Sequence, residues 1–134
     1  MSIVLVRQAL EVALAAMSPA LSTAWENAPF TPVIGTAYQA VFLMSATPEN
    51  VEIGGSYTER GYLQINLNYP LNAGPADAAT RAELIRATFY RGASFTAGGV
   101  VTNIERTPEI GPGRAEENIY FLPVKVRFYS HLRS

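Results

Sequence analysis

The stretch GYLQINLNYP, from Gly61 to Pro70, decides the fold prediction because its apolar and polar residues alternate without a break. In an extended chain, successive side chains point to opposite sides of the strand. The apolar side consists of Leu63, Ile65, Leu67 and Tyr69, and the amide side consists of Gln64, Asn66 and Asn68. This pattern predicts a strand whose one face is buried, from Gly61 to Tyr69.

Three further strands and two helices are predicted around this one. Apolar-rich strands are expected at Thr36–Ser45, Val100–Thr107 and Ile119–Tyr129. Residues spaced three and four apart predict one helix from Ile3 to Met17, and a second follows Pro75. The order α-β-β-α-β-β over residues 1–134 predicts a single α+β domain: a two-layer sandwich with a mostly antiparallel, four-stranded sheet and both helices on one face.

The helical periodicity also predicts which residues form the core. The buried stripe of the first helix is Ile3, Val6, Leu10, Ala13, Leu14 and Met17, and that of the second is Ala78, Ala82, Ile85 and Phe89. Arg81, Glu83 and Arg86 are expected in solvent. The helices should cover the apolar sheet face, formed by Leu63, Ile65, Leu67, Val124 and Val126. The opposite face would carry Gln64, Asn66, Asn68, Lys125 and Arg127. Pro123 removes a ladder donor, which predicts a sheet edge or a bulge.

Three segments without regular periodicity are candidates for contacts with partners. Two are loops, Ala46–Arg60 and Pro108–Glu117, and a structureless loop of this length is often functional. The third is the stiff connector Thr23–Pro32, in which two prolines favour extended backbone. The candidate interface residues in these segments are Trp25, Phe30, Glu49, Tyr57, Arg60, Pro108, Ile110 and Arg114. Trp25 either pins the connector onto the first helix or anchors a partner protein.

Composition argues against several classes of function. The net charge of −1 gives no strong basic field for nucleic acid, and no cysteine is present. The one histidine, His131, lies near the chain end, where a catalytic base is poorly held. Ile3–Met17 is interrupted by charged residues and is shorter than the ~20 apolar residues of a membrane span. We therefore expect no enzyme activity, no cofactor, no metal and no membrane partner.

Several motifs together resemble the tail-terminator proteins of lambda-like, long-tailed phages and prophages. They are the helix segment Arg7-Gln8-Ala9-Leu10-Glu11, the connector Ala24–Pro32, the strand Gly61–Pro70, the segment Phe89-Tyr90-Arg91-Gly92 and the closing strand Tyr120–Phe128. The order and spacing of these motifs carry the resemblance along most of the chain.

The resemblance implies a structural role in the virion, with assembly in the host cytoplasm. It implies a hexameric ring that associates weakly in solution, caps the tail-tube protein, ends polymerisation and presents a joining surface to the head-completion protein. DNA would pass through the ring without specific binding. Two alternatives remain open: another neck or head–tail joining protein, and a small-molecule-binding or enzymatic α+β domain.

Overall fold

A curled, half-barrel sheet of eight strands dominates the described part of the chain, in which 45% of residues lie in strands and 21% in two helices. The computed structural model describes residues 2–33, 35–50, 55–72, 74–116 and 119–133, apart from the side chains of Ser2 and Arg133. The helices are α1 (Ser2–Ala15) and α2 (Ala76–Thr88). The strands are β1 (Ser22–Ala24), β2 (Tyr38–Ser45), β3 (Ser56–Pro70), β4 (Ser94–Ala97), β5 (Val100–Ile104), β6 (Glu109–Ile110), β7 (Arg114–Glu116) and β8 (Ile119–Arg133).

Strands β3 and β8 form the centre of the sheet. Each has 15 residues, and they pair antiparallel from Ser56 opposite Arg133 to Pro70 opposite Ile119. The alternating pattern that predicted β3 sets this register, because Leu63 then lies opposite Val126 on the buried face. A slip of one residue would turn every apolar side chain of β3 toward solvent.

The prediction of a four-stranded sheet in the order α-β-β-α-β-β is wrong. The path through the sheet is β1-β2-β3-β8-β5-β4, and β6 and β7 also pair with β8. The second edge of β8 is thus shared end to end by three short strands, β7, β6 and β5. Pairing of this kind satisfies backbone N–H and C=O groups that would otherwise lie unpaired along a long strand. Short strands of this kind leave no periodic pattern in the sequence.

Both predicted loops therefore contain strand structure. Ser56–Arg60 is the first third of β3, and Glu49 and Thr58 exchange backbone hydrogen bonds of 2.9 and 2.7 Å. The second predicted loop supplies β6 and β7. Residues 51–54 and 117 of the two predicted loops lie outside the described residues. Between the pairs Ile110–Val124 and Arg114–Phe121, residues 111–113 lie opposite only two residues of β8, one of which is Pro123. This mismatch is that of a bulge, so the predicted bulge is correct and the predicted sheet edge is wrong.

The helices and the apolar sheet face share one core, as the periodicity predicted. Val6, Leu10, Leu14 and Met17 of the first stripe are buried, and Ile3 and Ala13 pack against them partly buried. All four residues predicted for the second stripe are fully buried. The predicted sheet residues Leu63, Ile65, Leu67, Val124 and Val126 are also fully buried.

Arg81 lies in this interior, which corrects its predicted exposure. Its side chain is 5% exposed, and Nη1 donates a hydrogen bond to the carbonyl of Pro19. Among the described residues, Nε and Nη2 find no hydrogen-bond partner. Burial of the charged form lowers the pKa of Arg81, and burial likewise raises the pKa of Tyr69 near it. Arg86 is only half-exposed, and its Nε donates to the carbonyl of Pro108 at 3.0 Å.

Candidate functional interface

The side of the sheet that faces away from the core is the candidate interface, and we call it the outer face. The register places alternate residues of β2, β3 and β8 on it, because their neighbours along each strand are buried in the core. Its members include Tyr38, Phe42, Met44, Arg60, Tyr62, Gln64, Asn66, Asn68, Phe121, Lys125, Arg127 and Tyr129. The predicted position of Gln64, Asn66, Asn68, Lys125 and Arg127 on this face is confirmed.

Three arginines of the outer face and its border, Arg60, Arg114 and Arg127, are ion-paired. Arg60 Nε lies 2.9 Å from Glu49, and its Nη1 lies 3.1 Å from Glu105. Two further pairs follow the second edge of β8: Arg114–Glu116 at 2.9 Å and Arg127–Glu109 at 3.4 Å. The last pair is poorly aligned, so Arg127 Nε makes no hydrogen bond despite its short distance to the carboxylate. The charges of the face therefore largely cancel.

Aromatic rings lie beneath several of these cations. Lys125 Nζ is 4.5 Å from the centroid of the Tyr62 ring, and the guanidinium of Arg114 is 4.7 Å from that of Phe121. Such contacts contribute about 0.5–1 kcal/mol at exposed sites. Phe42 and Met44 of β2 extend the face with apolar side chains that are 38% and 48% exposed. The surface thus combines apolar area with fixed, compensated charge.

Arg60 is the most connected residue of this surface. Its hydrogen bond to the Glu49 carboxylate raises the pKa of Arg60, and the charges of Glu49 and Glu105 act in the same direction. The guanidinium also lies 5.6 Å from the centroid of the Tyr129 ring. Because exposed ion pairs contribute little to stability, this cluster matters more for the shape and charge of the surface than for the fold.

The structure brings together only some of the residues predicted for the interface. Glu49 and Arg60 form an ion pair, and Arg114 is exposed on the same face. Tyr57 is half-buried opposite Leu132, on the core side of the sheet. Ile110 packs partly buried against the core, and Pro108 is buried, so neither is a free loop residue.

Trp25 and Phe30 lie at the other border of the sheet, beside β2. Trp25 is half-buried and packs against the core, in agreement with the prediction that it pins the connector. The Phe30 ring lies 5.1 Å from the ring of Tyr38, centroid to centroid. Nothing in the described residues joins these two positions to the Arg60 cluster, so the predicted residues form separate parts of a broad surface.

Glu26, next to Trp25, fastens the connector to both α1 and β2. Its Oε1 accepts hydrogen bonds from the Leu43 backbone N–H and from Arg7 Nη1, both at 3.0 Å. The first of these bonds contributes most to lowering the pKa of Glu26. Leu43 lies beyond the end of β1, on the part of the β2 edge that β1 leaves open. The carboxylate therefore satisfies a strand N–H that has no neighbouring strand.

Sequence reasoning missed Tyr62, Glu105 and Glu109 as parts of this surface. The alternation of β3 places Tyr62 on the amide side, which is a signal that the sequence does contain. For the two glutamates the sequence offers no such signal. Their partners are Arg60 and Arg127, and only the pairing of the strands brings each glutamate close to its arginine.

We expect Trp25→Ala to lower the free energy of unfolding by about 2 kcal/mol, roughly half the cost of removing a fully buried aromatic. The reason is that Trp25 packs against the core while remaining partly exposed. Thermal unfolding of the variant measures this, with Tyr90→Ala as the control because Tyr90 is 59% exposed. A Trp25 variant that melts like the parent would contradict the pinning role.

Comparison with known proteins identifies the family. A family model described as "Phage tail terminator protein" matches residues 5–128. The chain belongs to the phage tail terminator family. Among curated proteins, none matches. Among the solved structures that are similar, one protein chain has 25% identity and a TM-score of 0.77, and the match covers 100% of this chain and 98% of that chain.

Membership of the tail terminator family confirms the resemblance read from the motifs and gives the chain a structural role in the phage tail. The matched region includes strands β1 to β7 and β8 as far as Phe128, and therefore the outer-face residues from Tyr38 to Arg127. Neither described helix has the length and apolar character needed to cross a bilayer. Within the described residues, no three metal-ligating side chains gather into one site.

Proposed function

We propose that this tail terminator caps the tail tube as a six-fold ring, ends tail polymerisation and provides the surface to which the head-completion protein joins. It acts in the neck of the virion after assembling in the host cytoplasm, and DNA passes through its centre without specific binding. The observation that carries the proposal is the outer face, a broad surface of half-exposed aromatic residues and internally paired charges.

A surface of this composition suits contact with other proteins. Protein interfaces are enriched in aromatic residues and arginine, and their charged groups lie toward a polar rim. The glutamates beside Arg60, Arg114 and Arg127 already neutralise these cations. Affinity for DNA depends on cations that replace the counterions of phosphates. A face whose charges cancel gives little such affinity, which suits a ring through which DNA must move.

The proposal is tested by deleting the gene in the phage or prophage that encodes this chain. We expect tail tubes of uncontrolled length and heads without tails, because rings stacked head to tail leave an open end that continues to grow. Electron microscopy of the lysate measures tail length and the fraction of joined particles. Plasmid-borne expression of the parent protein should restore both.

The same electron micrographs distinguish termination of tail growth from joining of heads to tails. Unjoined tails of normal length in the deletion would contradict termination and would favour the alternative, a neck protein that only joins heads to tails. Joined particles of normal length would contradict the whole proposal.

A further inference from the structure

The two outer edges of the sheet are protected to different degrees. Beside β1, side chains occupy backbone groups of the edge: Glu26 accepts the Leu43 N–H at 3.0 Å, and the Thr23 hydroxyl donates to the Leu21 carbonyl at 2.9 Å. Strand β4 forms the other edge, and among the described residues only β5 bonds to its backbone. One side of β4 is therefore without a neighbouring strand.

The turn that follows β4 shows which of its backbone groups are free. The two-residue turn Gly98–Gly99 has φ values of +54° and +82°, as in a tight hairpin turn between antiparallel strands. The residues that close such a turn exchange both hydrogen bonds, and the bonds then alternate along the strand. Ala97 and Phe95 thus bond to β5, whereas the N–H and C=O groups of Ser94 and Thr96 point away from it.

The sequence of this edge contains none of the usual protection against pairing. Edge strands are commonly blocked by a charged side chain, a proline or a bulge. The stretch Ser94–Gly99 reads SFTAGG, without charge and without proline. Ser94 and Thr96 are small and exposed. Another strand can therefore approach β4 without steric or electrostatic obstruction.

Apolar side chains of α1 lie beside this edge. The helix packs against β4 and β5, and a Cβ atom on Gly98 would lie 2.8 Å from Leu5 Cδ2. Val12 follows Leu5 by two turns on the same side of α1 and is 61% exposed. A short strand pair alone is marginally stable in water, so apolar area next to it adds the stabilisation that such a contact needs.

We propose that β4 pairs antiparallel with β4 of a second copy, about a two-fold axis at Phe95. With the axis at this residue, Ser94 faces Thr96 of the second copy, and each pair exchanges both of its hydrogen bonds. Every free backbone group of the two residues is then satisfied, and hydroxyl side chains face each other, which is a favourable cross-strand combination. The occupant is a second copy because the strand is its own complement.

This contact belongs to the free protein and does not depend on the proposed ring. It uses the same patch on both copies and closes with two of them, whereas neighbours in a ring meet through two different patches. Pairing covers an edge that would otherwise promote aggregation of the protein before it reaches the tail.

Cysteine cross-linking tests the register, because the chain contains no cysteine of its own. Purified Ser94→Cys and Thr96→Cys are oxidised separately and as a mixture. Facing residues of the proposed pair have Cα atoms about 5.5 Å apart, which a disulfide can span. The two copies of residue 94 lie about 8 Å apart, beyond its reach. We expect the mixture to contain at least tenfold more linked dimer than either variant alone.

Variants of Thr96 test the contact without cross-linking. Thr96→Pro removes an N–H that points away from β5, so the strand should still form while pairing is blocked. Thr96→Lys keeps the N–H and adds a charge to the edge. We expect both to raise the dissociation constant of the dimer at least tenfold in sedimentation experiments. Thr96→Val keeps the shape and the N–H and should dimerise within a fewfold of the parent. Melting temperatures identify any variant that fails to fold, and the other one then decides.

Three results would overturn the inference. One is a parent protein that remains monomeric up to about 1 mM, or that forms larger rings without a two-copy species. Another is equal cross-linking in the mixture and in the separate variants. The third is a folded Thr96→Pro or Thr96→Lys protein that dimerises like the parent. Tails of normal length in the deletion strain would contradict the proposed function but would leave these outcomes unchanged.

Discussion

Gly61→Ala should destabilise the fold by about 3 kcal/mol or more and lower the melting temperature by about 10 °C. A Cβ atom at this position would lie 2.2 Å from the Met44 carbonyl oxygen and 3.0 Å from Phe128 Cζ. The nearest atom belongs to the backbone of β2, so a rotamer change cannot relieve the contact. Strands β2 and β3 would have to separate where Ser45 and Gly61 pair.

Gly74→Ala provides the matched control for this substitution. Gly74 has a φ of +80°, and nothing lies within 4 Å of a Cβ there. The expected cost is about 1 kcal/mol, which reflects the left-handed backbone alone. Denaturant unfolding of the two variants separates steric conflict from backbone conformation. Equal costs would show that the sheet accommodates a methyl group at Gly61.

Phe128→Ala is the second substitution with a large expected effect, about 3–5 kcal/mol. Phe128 is among the largest fully buried side chains, and it lies on the core face of β8 opposite Gly61. Its removal leaves a cavity that the paired strands on either side cannot close. A domain of this size has a total stability of about 5–15 kcal/mol. A loss of this size removes a large share of it, so the variant should be partly unfolded at the temperature at which the host grows.

Phe121→Ala is the corresponding control on the same strand. Phe121 is half-buried on the outer face, where the Arg114 guanidinium lies over its ring. We expect a loss of about 1 kcal/mol, since the side chain is only partly buried there. Thermal unfolding of both variants compares the two faces of β8. A larger loss at Phe121 would contradict the assignment of Phe128 to the core.

The two faces of the sheet are expected to respond differently to substitution: the core face determines stability, and the outer face serves the proposed function. The core face of β3 and β8 holds the residues whose loss unfolds the protein, and the outer face holds compensated charges with small individual effects on stability. Substitutions at Arg60 or Arg127 are therefore suited to testing assembly, because the protein should still fold. Substitutions in the core would abolish assembly without identifying any contact.

The sequence by itself determined the buried faces and the family. Strict alternation at Leu63, Ile65 and Leu67 identified the core side of β3, because a strand presents its side chains with a period of two. The helical stripes were equally readable, and the order of short motifs was sufficient to recognise a tail terminator.

Only the tertiary structure decided the extent of the sheet and the partners of its charges. β6 and β7 are two and three residues long, so no periodicity marks them, and they form because the second edge of β8 offers them hydrogen bonds. Arg81 was expected in solvent although it lies three residues after Ala78 and four before Ile85, on the buried stripe, and in the structure it is enclosed beside Pro19. Local patterns fix which side chains avoid water; contacts between residues distant in sequence, such as Arg60 with Glu105, exist only once the chain has closed on itself.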